Sequence, residues 1–250
     1  MNLKQLKITL FVAVVLFSLS CTPYKNVPYF QDLPKDSAFT EKISNYTPLL
    51  IQPGDLLAVH VNSLNPEADA RFNYNLDHVI GNSSAPPPVG STNVAVSAAD
   101  AENEVYGYLV DQEGNIRLPS VGAVKVSGLS TLEIATKLES VLAGDLTKPN
   151  INVRLVNFKI SVLGDVQKPG SYTVPNERIT LTEGLALAGD LNTTGLRRNV
   201  LLVRETDGTR KYVTLDLTSK EIFKSPYFYL KNNDIIYVQP NKARVNADST

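Results

Sequence analysis

The side chains able to do chemistry in this 250-residue chain are few and widely scattered. Its one cysteine, Cys21, supplies a single thiol, which suffices for a covalent attachment and not for a disulfide framework. The two histidines, His60 and His78, fall in an expected strand and in a polar stretch, and two imidazoles without further ligands do not make a metal site. Carboxylates at Asp55, Asp111, Glu133, Asp165, Glu183 and Asp234 sit at expected turns and helix caps, so their spacing nominates no pair for glycoside hydrolysis. Gly164 and Gly170 are not followed by the Gly-Lys-Ser/Thr that opens a phosphate-binding helix, and their expected work is turn geometry. Tyr227-Phe228-Tyr229 has two readings, a stacking surface for sugar rings or core ahead of a strand, and core is favoured. No catalytic residue, metal ligand or cofactor site is expected.

Charge and the leading segment narrow the classes further. Lys and Arg number 24 against 25 Asp and Glu, a net charge of −1, so no global field draws nucleic acid to the chain. Residues 1–20 place Lys4 and Lys7 ahead of the apolar run 8–19. That run is shorter than the roughly 20 residues a membrane-spanning helix needs, and it reads as a secretory signal. It ends Ser18-Leu19-Ser20-Cys21, and a small residue directly before the only cysteine marks a lipoprotein-processing site with Cys21 acylated; the other reading is an ordinary signal followed by an incidental thiol. A single acyl chain holds a protein only marginally, so a stable anchor implies several on Cys21, palmitate among them.

The elements that must position these residues are short. In 158–175, Phe158, Ile160 and Val162 alternate with polar residues, Gly164-Asp165 closes the run, and Lys168-Pro169-Gly170 starts the return through Tyr172 and Val174. This is a hairpin whose structural turn comprises Gly164, Lys168, Pro169 and Gly170, with Gly170 expected at positive φ. A capping box at Thr180 and Glu183 opens a helix carrying Leu181, Leu185 and Ala188 on one face. Strands are expected at 199–204, 211–217 and 235–239, which gives a small sheet crossed by a helix in β-grasp-like order.

Upstream, 22–46 shows no period and reads as a tether in which Tyr29-Phe30 could dock on its own domain or on a neighbouring subunit. A turn at 51–55 feeds a strand at 56–61, and the same device of Asp followed by apolar strand residues recurs at Asp234, a weak internal echo. Residues 81–103 are rich in Ser, Ala, Pro and Gly and form a long surface loop. Strands follow at 106–110, 115–118 and 123–126, then a second capping box at Ser130 and Glu133 with Leu132, Ala135, Leu138 and Leu142 on one helix face. Apolar residues occupy odd positions through Leu155 and even positions from Phe158. The side-chain parity therefore switches at Val156-Asn157, which places a bulge or the domain crossing there and makes the two domains a stiff unit. The fold class is α+β, with two small β-rich domains in series.

The phrases ISVLGDVQKPGSYTVP, LTEGLALAGDL and NNDIIYVQP, with IQPGDLL and LVDQEGNIRLPSVGAVKVSGLSTLEIATKLESVL upstream, resemble the outer-membrane polysaccharide export lipoproteins. The resemblance divides the chain into a signal peptide at 1–20, a lipid-anchored linker at 21–48, an export domain at 49–156, a soluble-ligand-binding β-grasp domain at 157–240 and a polar tail at 241–250. It implies a non-enzymatic outer-membrane lipoprotein, its body in the periplasm, that forms a homo-oligomeric ring exporting capsular or extracellular polysaccharide. The implied partners are the polysaccharide and an inner-membrane copolymerase/tyrosine autokinase. Several relatives end in a further apolar or amphipathic helix that this sequence is not expected to form, so a partner pore or a missing segment is expected to complete the crossing. The alternative is a monomeric periplasmic lipoprotein binding a soluble ligand or glycan.

Overall fold

The computed structural model describes residues 27–34, 38, 40–73, 107–206 and 208–247. The signal, Cys21, His78 and the expected loop at 81–103 lie outside the described residues.

The first domain is built on β1 (Leu56–Asn62), which pairs antiparallel on one side with β2 (Tyr108–Leu109) and on the other with β5 (Asn150–Leu155). A separate hairpin joins β3 (Asn115–Leu118) to β4 (Gly122–Lys125). Helix α1 (Pro66–Asn73) packs on β1 through the buried Phe72, whose carbonyl accepts a hydrogen bond from the Tyr108 hydroxyl at 2.7 Å. Helix α2 (Thr131–Leu142) covers the sheet, and the capping box at its start is complete: Ser130 accepts from the Glu133 N–H while Glu133 accepts from the Ser130 N–H. Such a cap satisfies donors that the first turn leaves open. The buried face differs from the expected one, because Leu132 is 75% exposed and Ile134 joins Ala135, Leu138 and Leu142 in the core. A 3.6-residue period leaves two flanking positions for one apolar stripe, and packing against β5 selects Ile134.

The second domain is a five-stranded mixed sheet ordered β7-β6-β10-β8-β9, from β6 (Lys159–Gly164), β7 (Gly170–Thr173), β8 (Gly195–Thr206), β9 (Thr209–Leu215) and β10 (Ile235–Pro240). Only β6 and β10 run parallel, and counted within the domain the order is 2-1-5-3-4, that of a β-grasp. The β6–β7 hairpin pairs Ile160 with Tyr172 and Val162 with Gly170. Helix α3 (Leu181–Leu187), opened by the Thr180–Glu183 capping box, buries Leu181, Leu185 and the following Ala188, and its Gly184 faces Leu230, Ile160 and Ile236. Gly184 keeps that contact close, since a Cβ there would come within 2.8 Å of Leu230 and 2.9 Å of Ile160.

Two expectations are corrected in this domain. Gly170 does not adopt positive φ; it lies in β7, where a Cβ would meet nothing nearer than the Tyr172 ring at 3.8 Å. The left-handed residue is Gly164, at φ +89°, where a Cβ would fall 2.1 Å from the Val238 carbonyl oxygen. The strand β10 runs so close at that point that only a residue without a side chain fits. The polar tail is also ordered in part: residues Lys242–Ala247 form the short helix α4, from which Arg244 reaches the buried Asp165 carboxylate at 3.3 Å. No helix among the described residues is long and apolar enough to cross a membrane.

Candidate functional site

The two Asp-headed turns noticed in the sequence have the same geometry. In 52–55 the Gln52 N–H donates to the Asp55 carboxylate at 2.9 Å, the Asp55 N–H returns to the Gln52 carbonyl at 3.1 Å, and Gly54 takes φ +89°. In 231–234 the Lys231 N–H donates to the Asp234 carboxylate at 2.8 Å, the Asp234 N–H returns to Lys231 at 3.2 Å, and Asn233 takes φ +65°. Asn tolerates this region better than other residues with a Cβ, because its short polar side chain suits it. Both aspartates are buried, 3% and 1% exposed, and each launches a strand, β1 or β10.

These turns meet, and their meeting is the junction of the domains. The Asn232 amide donates to the Asp55 carboxylate at 2.7 Å, while its carbonyl oxygen accepts the Lys159 N–H at 3.0 Å. One side chain therefore ties the first turn to the first strand of the second domain. From the linker side, the Asn157 amide oxygen accepts the Leu56 N–H at 2.9 Å and its NH2 donates to the Gly54 carbonyl at 3.0 Å. Asn157 thus continues the β1–β5 ladder past Leu155 with a side chain in place of backbone, and the parity switch expected at Val156-Asn157 is this break between β5 and β6. A peripheral bond joins Thr131 Oγ1 to Glu177 at 3.1 Å.

The electrostatics of the two turns differ. Asp234 receives two bonds from Arg204, at 2.9 and 2.7 Å, and the Tyr227 ring lies 5.4 Å from the guanidinium carbon. Burial still pushes the Asp234 carboxyl above the usual aspartate range, opposed by Arg204. Burial likewise raises Asp55, opposed only by the Gln52 N–H and the Asn232 amide, both neutral donors.

A second assembly is the strap formed by 27–34, within the segment expected to be a tether. It docks on the second domain of its own chain: the Phe30 and Gln31 N–H groups donate to the carbonyls of Leu217 and Thr218, and Asp32 caps the 3₁₀ turn Lys220–Lys224 by accepting from Ser219 Oγ and the Lys220 N–H. The Phe30 ring lies 4.7 Å from that of Phe223. Tyr29 donates its hydroxyl to Asp190 and places its ring 5.3 Å from the guanidinium carbon of Arg197. Arg197 is buried; it donates to the carbonyls of Leu191, Asn192 and Gly195, and among the described residues it has no carboxylate partner and its Nε has no hydrogen-bond partner. Burial, with Asp190 beside it, raises the Tyr29 phenol well above its ordinary value.

Of the other residues singled out, Phe228 is core, and Phe223, Phe228 and Tyr229 meet edge to face, which favours the packing reading of that triplet. His60 is exposed on β1. No group of three or more His, Cys, Asp or Glu among the described residues is placed to hold a metal. The roles of Asn157, Asn232, Arg204 and Arg197 are not legible in the sequence, since the partners lie far apart in the chain; the available signals were the repeated turn and the parity switch at Val156-Asn157.

Comparison with known proteins agrees with this architecture. A family model described as polysaccharide biosynthesis/export protein matches 44–156, and one for the SLBB domain matches 158–238. The chain is similar to two proteins named EPS I polysaccharide export outer membrane protein EpsA. The one from Ralstonia solanacearum is 28% identical over 159 residues, 62% of this chain and 41% of the relative. The one from Ralstonia nicotianae is 24% identical over 260 residues, 95% of this chain and 68% of the relative. The exopolysaccharide production protein ExoF of Rhizobium meliloti is 32% identical over 96 residues, 36% of this chain and 21% of the relative. The chain thus spans well under half the length of the first and third of these. The chain therefore carries, in order, a match to the polysaccharide biosynthesis/export model and a match to the SLBB model, and it is similar to proteins named as polysaccharide export outer membrane proteins.

Proposed function

We propose that this protein is the outer-membrane component of a machine exporting capsular or extracellular polysaccharide, and that it acts as a conduit, not as an enzyme. The observation that carries the reading is the pairing, in order, of the export and SLBB domains, joined through Asn157 and Asn232 with no free linker. A single chain of this size encloses no channel, so several copies arranged by one repeated heterologous contact form the ring through which polymer passes. Cys21 carries the lipid anchor, the body lies in the periplasm, and an inner-membrane copolymerase/tyrosine autokinase supplies the polymer. The strap supports an orientation. Val27 lies six residues after Cys21, a reach of about 20 Å when fully extended, so the anchor would hold the second domain, not the first, beside the bilayer.

The test is genetic and biophysical together. Deleting the gene should abolish surface polysaccharide, and Cys21→Ser should release the protein from the membrane fraction and remove the mass of the acyl groups. Crosslinking of the lipidated protein in detergent should give a ladder ending in one closed species. A protein that is monomeric at high concentration, with no ladder in producing cells, favours the ligand-binding alternative.

A further inference from the structure

We propose that the cleft between the two domains is a binding subsite for a neutral saccharide segment, with Tyr212 as its stacking platform; this rests on the export reading above. The cleft is an open groove of about 500 Å³ lined by Gln52 and Ser127 from the first domain and by Glu205, Thr206, Thr209 and Arg210 from the second, within the range of ~300–1,000 Å³ typical of ligand sites. Its side chains are an amide, three hydroxyls, the Pro53 ring and one ion pair, Arg210 to Glu205 at 2.5 Å. The charges cancel, which disfavours an anion, and large apolar side chains are not among the lining residues, which disfavours an apolar ligand. A sugar ring presents the complementary chemistry: adjacent hydroxyls that donate to a carboxylate and accept from a guanidinium, and a C–H face that packs on an aromatic ring.

That ring stands at the lip. In the β8–β9 ladder Glu205 faces Arg210 and, one row along the same face, Val203 faces Tyr212. Same-face rows lie about 7 Å apart, so a ring seated on the Glu205–Arg210 pair has its neighbour over Tyr212. Tyr212 is 65% exposed, so its ring face is open to a ligand. Beyond it the row continues over Val203 to Ile235, with Tyr237 on the next row, so the cleft opens onto a sheet face along which a longer chain can lie. The Asn157 and Asn232 bonds fix both walls relative to one another, so the site is preformed.

The probe is the neutral oligosaccharide fraction from mild acid hydrolysis of the exopolysaccharide made by the producing strain, titrated onto the full chain. Saturation-transfer NMR should show aromatic protons of the protein contacting sugar ring protons. Affinity should fall by about tenfold, the scale of one lost aromatic contact, in Tyr212→Ala, and comparably in Arg210→Gln, with melting temperatures unchanged. Absence of transfer, or binding that survives both substitutions, overturns the proposal. A gene deletion that leaves export intact sinks the export reading whatever the cleft binds. A deletion that blocks export, with no oligosaccharide bound by the purified chain, sinks the cleft alone.

Discussion

The turns at 52–55 and 231–234 share backbone, burial and an aspartate at the same place, yet their carboxylates are served differently. Asp234 is answered inside its own domain by a full cation, Arg204, whereas Asp55 is answered by an amide that arrives from the other domain. The same local motif therefore closes a core in one case and couples two bodies in the other. What decides between the two roles is the donor that completes the turn, because a buried carboxylate must find partners wherever the fold can supply them.

The strongest challenge to this contrast is Arg204→Met. It strands Asp234 in the core and should cost about 3–5 kcal/mol in urea denaturation, while Asp55→Asn, which removes a charge no cation was balancing, should cost far less. Equal losses at the two sites would erase the distinction.

A second comparison lies within the β6–β7 hairpin. Gly164→Ala forces a Cβ onto the Val238 carbonyl from a left-handed backbone and should destabilise by at least about 1–3 kcal/mol, whereas Gly170→Ala has room and should stay within about 1 kcal/mol. Thermal unfolding of the two variants side by side checks this, and the reverse order would return the critical position to Gly170.

Asn232→Ala sharpens the coupling role. It should cost about 1–3 kcal/mol, and the loss should concentrate at the junction, with faster hydrogen exchange at the Lys159 amide and calorimetry that splits toward two transitions. A single sharp transition with unchanged exchange would mean that the domains are held together by other contacts.

The smallest effects concern the helix caps and their dependence on pH. Thr180→Ala should cost about 1 kcal/mol, measured by urea denaturation at neutral pH. Hydrogen bonds from the capping backbone and hydroxyl hold Glu133 and Glu183 below the usual glutamate range. Their contribution is thus complete above the unfolded value of about 4.3 and is lost as pH falls through the lowered folded values. Asp55 has the opposite sign: its raised value makes the folded state hold the proton more tightly, so its contribution is complete below the unfolded value of about 3.9 and is lost as pH rises through the folded one. Carboxyl NMR on acidification should show Asp55 titrating above the ordinary aspartate value and Glu183 below the ordinary glutamate value.

The features that could be read from the sequence were those whose partners lie close along the chain. Ser130 with Glu133, Thr180 with Glu183, the alternation of Phe158, Ile160 and Val162, and the parity switch at Val156-Asn157 each declare themselves within a few residues. The Asp-turn echo was visible too, but its meaning was not, because Asn232 lies 177 residues from Asp55 and Arg204 lies 30 from Asp234. Gly164 and Gly170 both suited a turn, and only the approach of β10, a distant strand, determines which of them must be glycine. The spacing put Leu132 on the buried helix face, and only the packing of β5 shows that Ile134 takes that place.

The strap carries a consequence for biogenesis. Tyr29 is made 161 residues before the Asp190 that receives it, and Asp32 precedes Ser219 by 187. A chain emerging amino end first must carry this aromatic segment unsatisfied through the synthesis of a whole domain. Closing so long a loop costs entropy that only the completed receptor surface repays. Docking of the strap is then a late event that reports on the carboxyl-terminal half, and a chain truncated before Phe223 would display Tyr29 and Phe30 to chaperones and proteases.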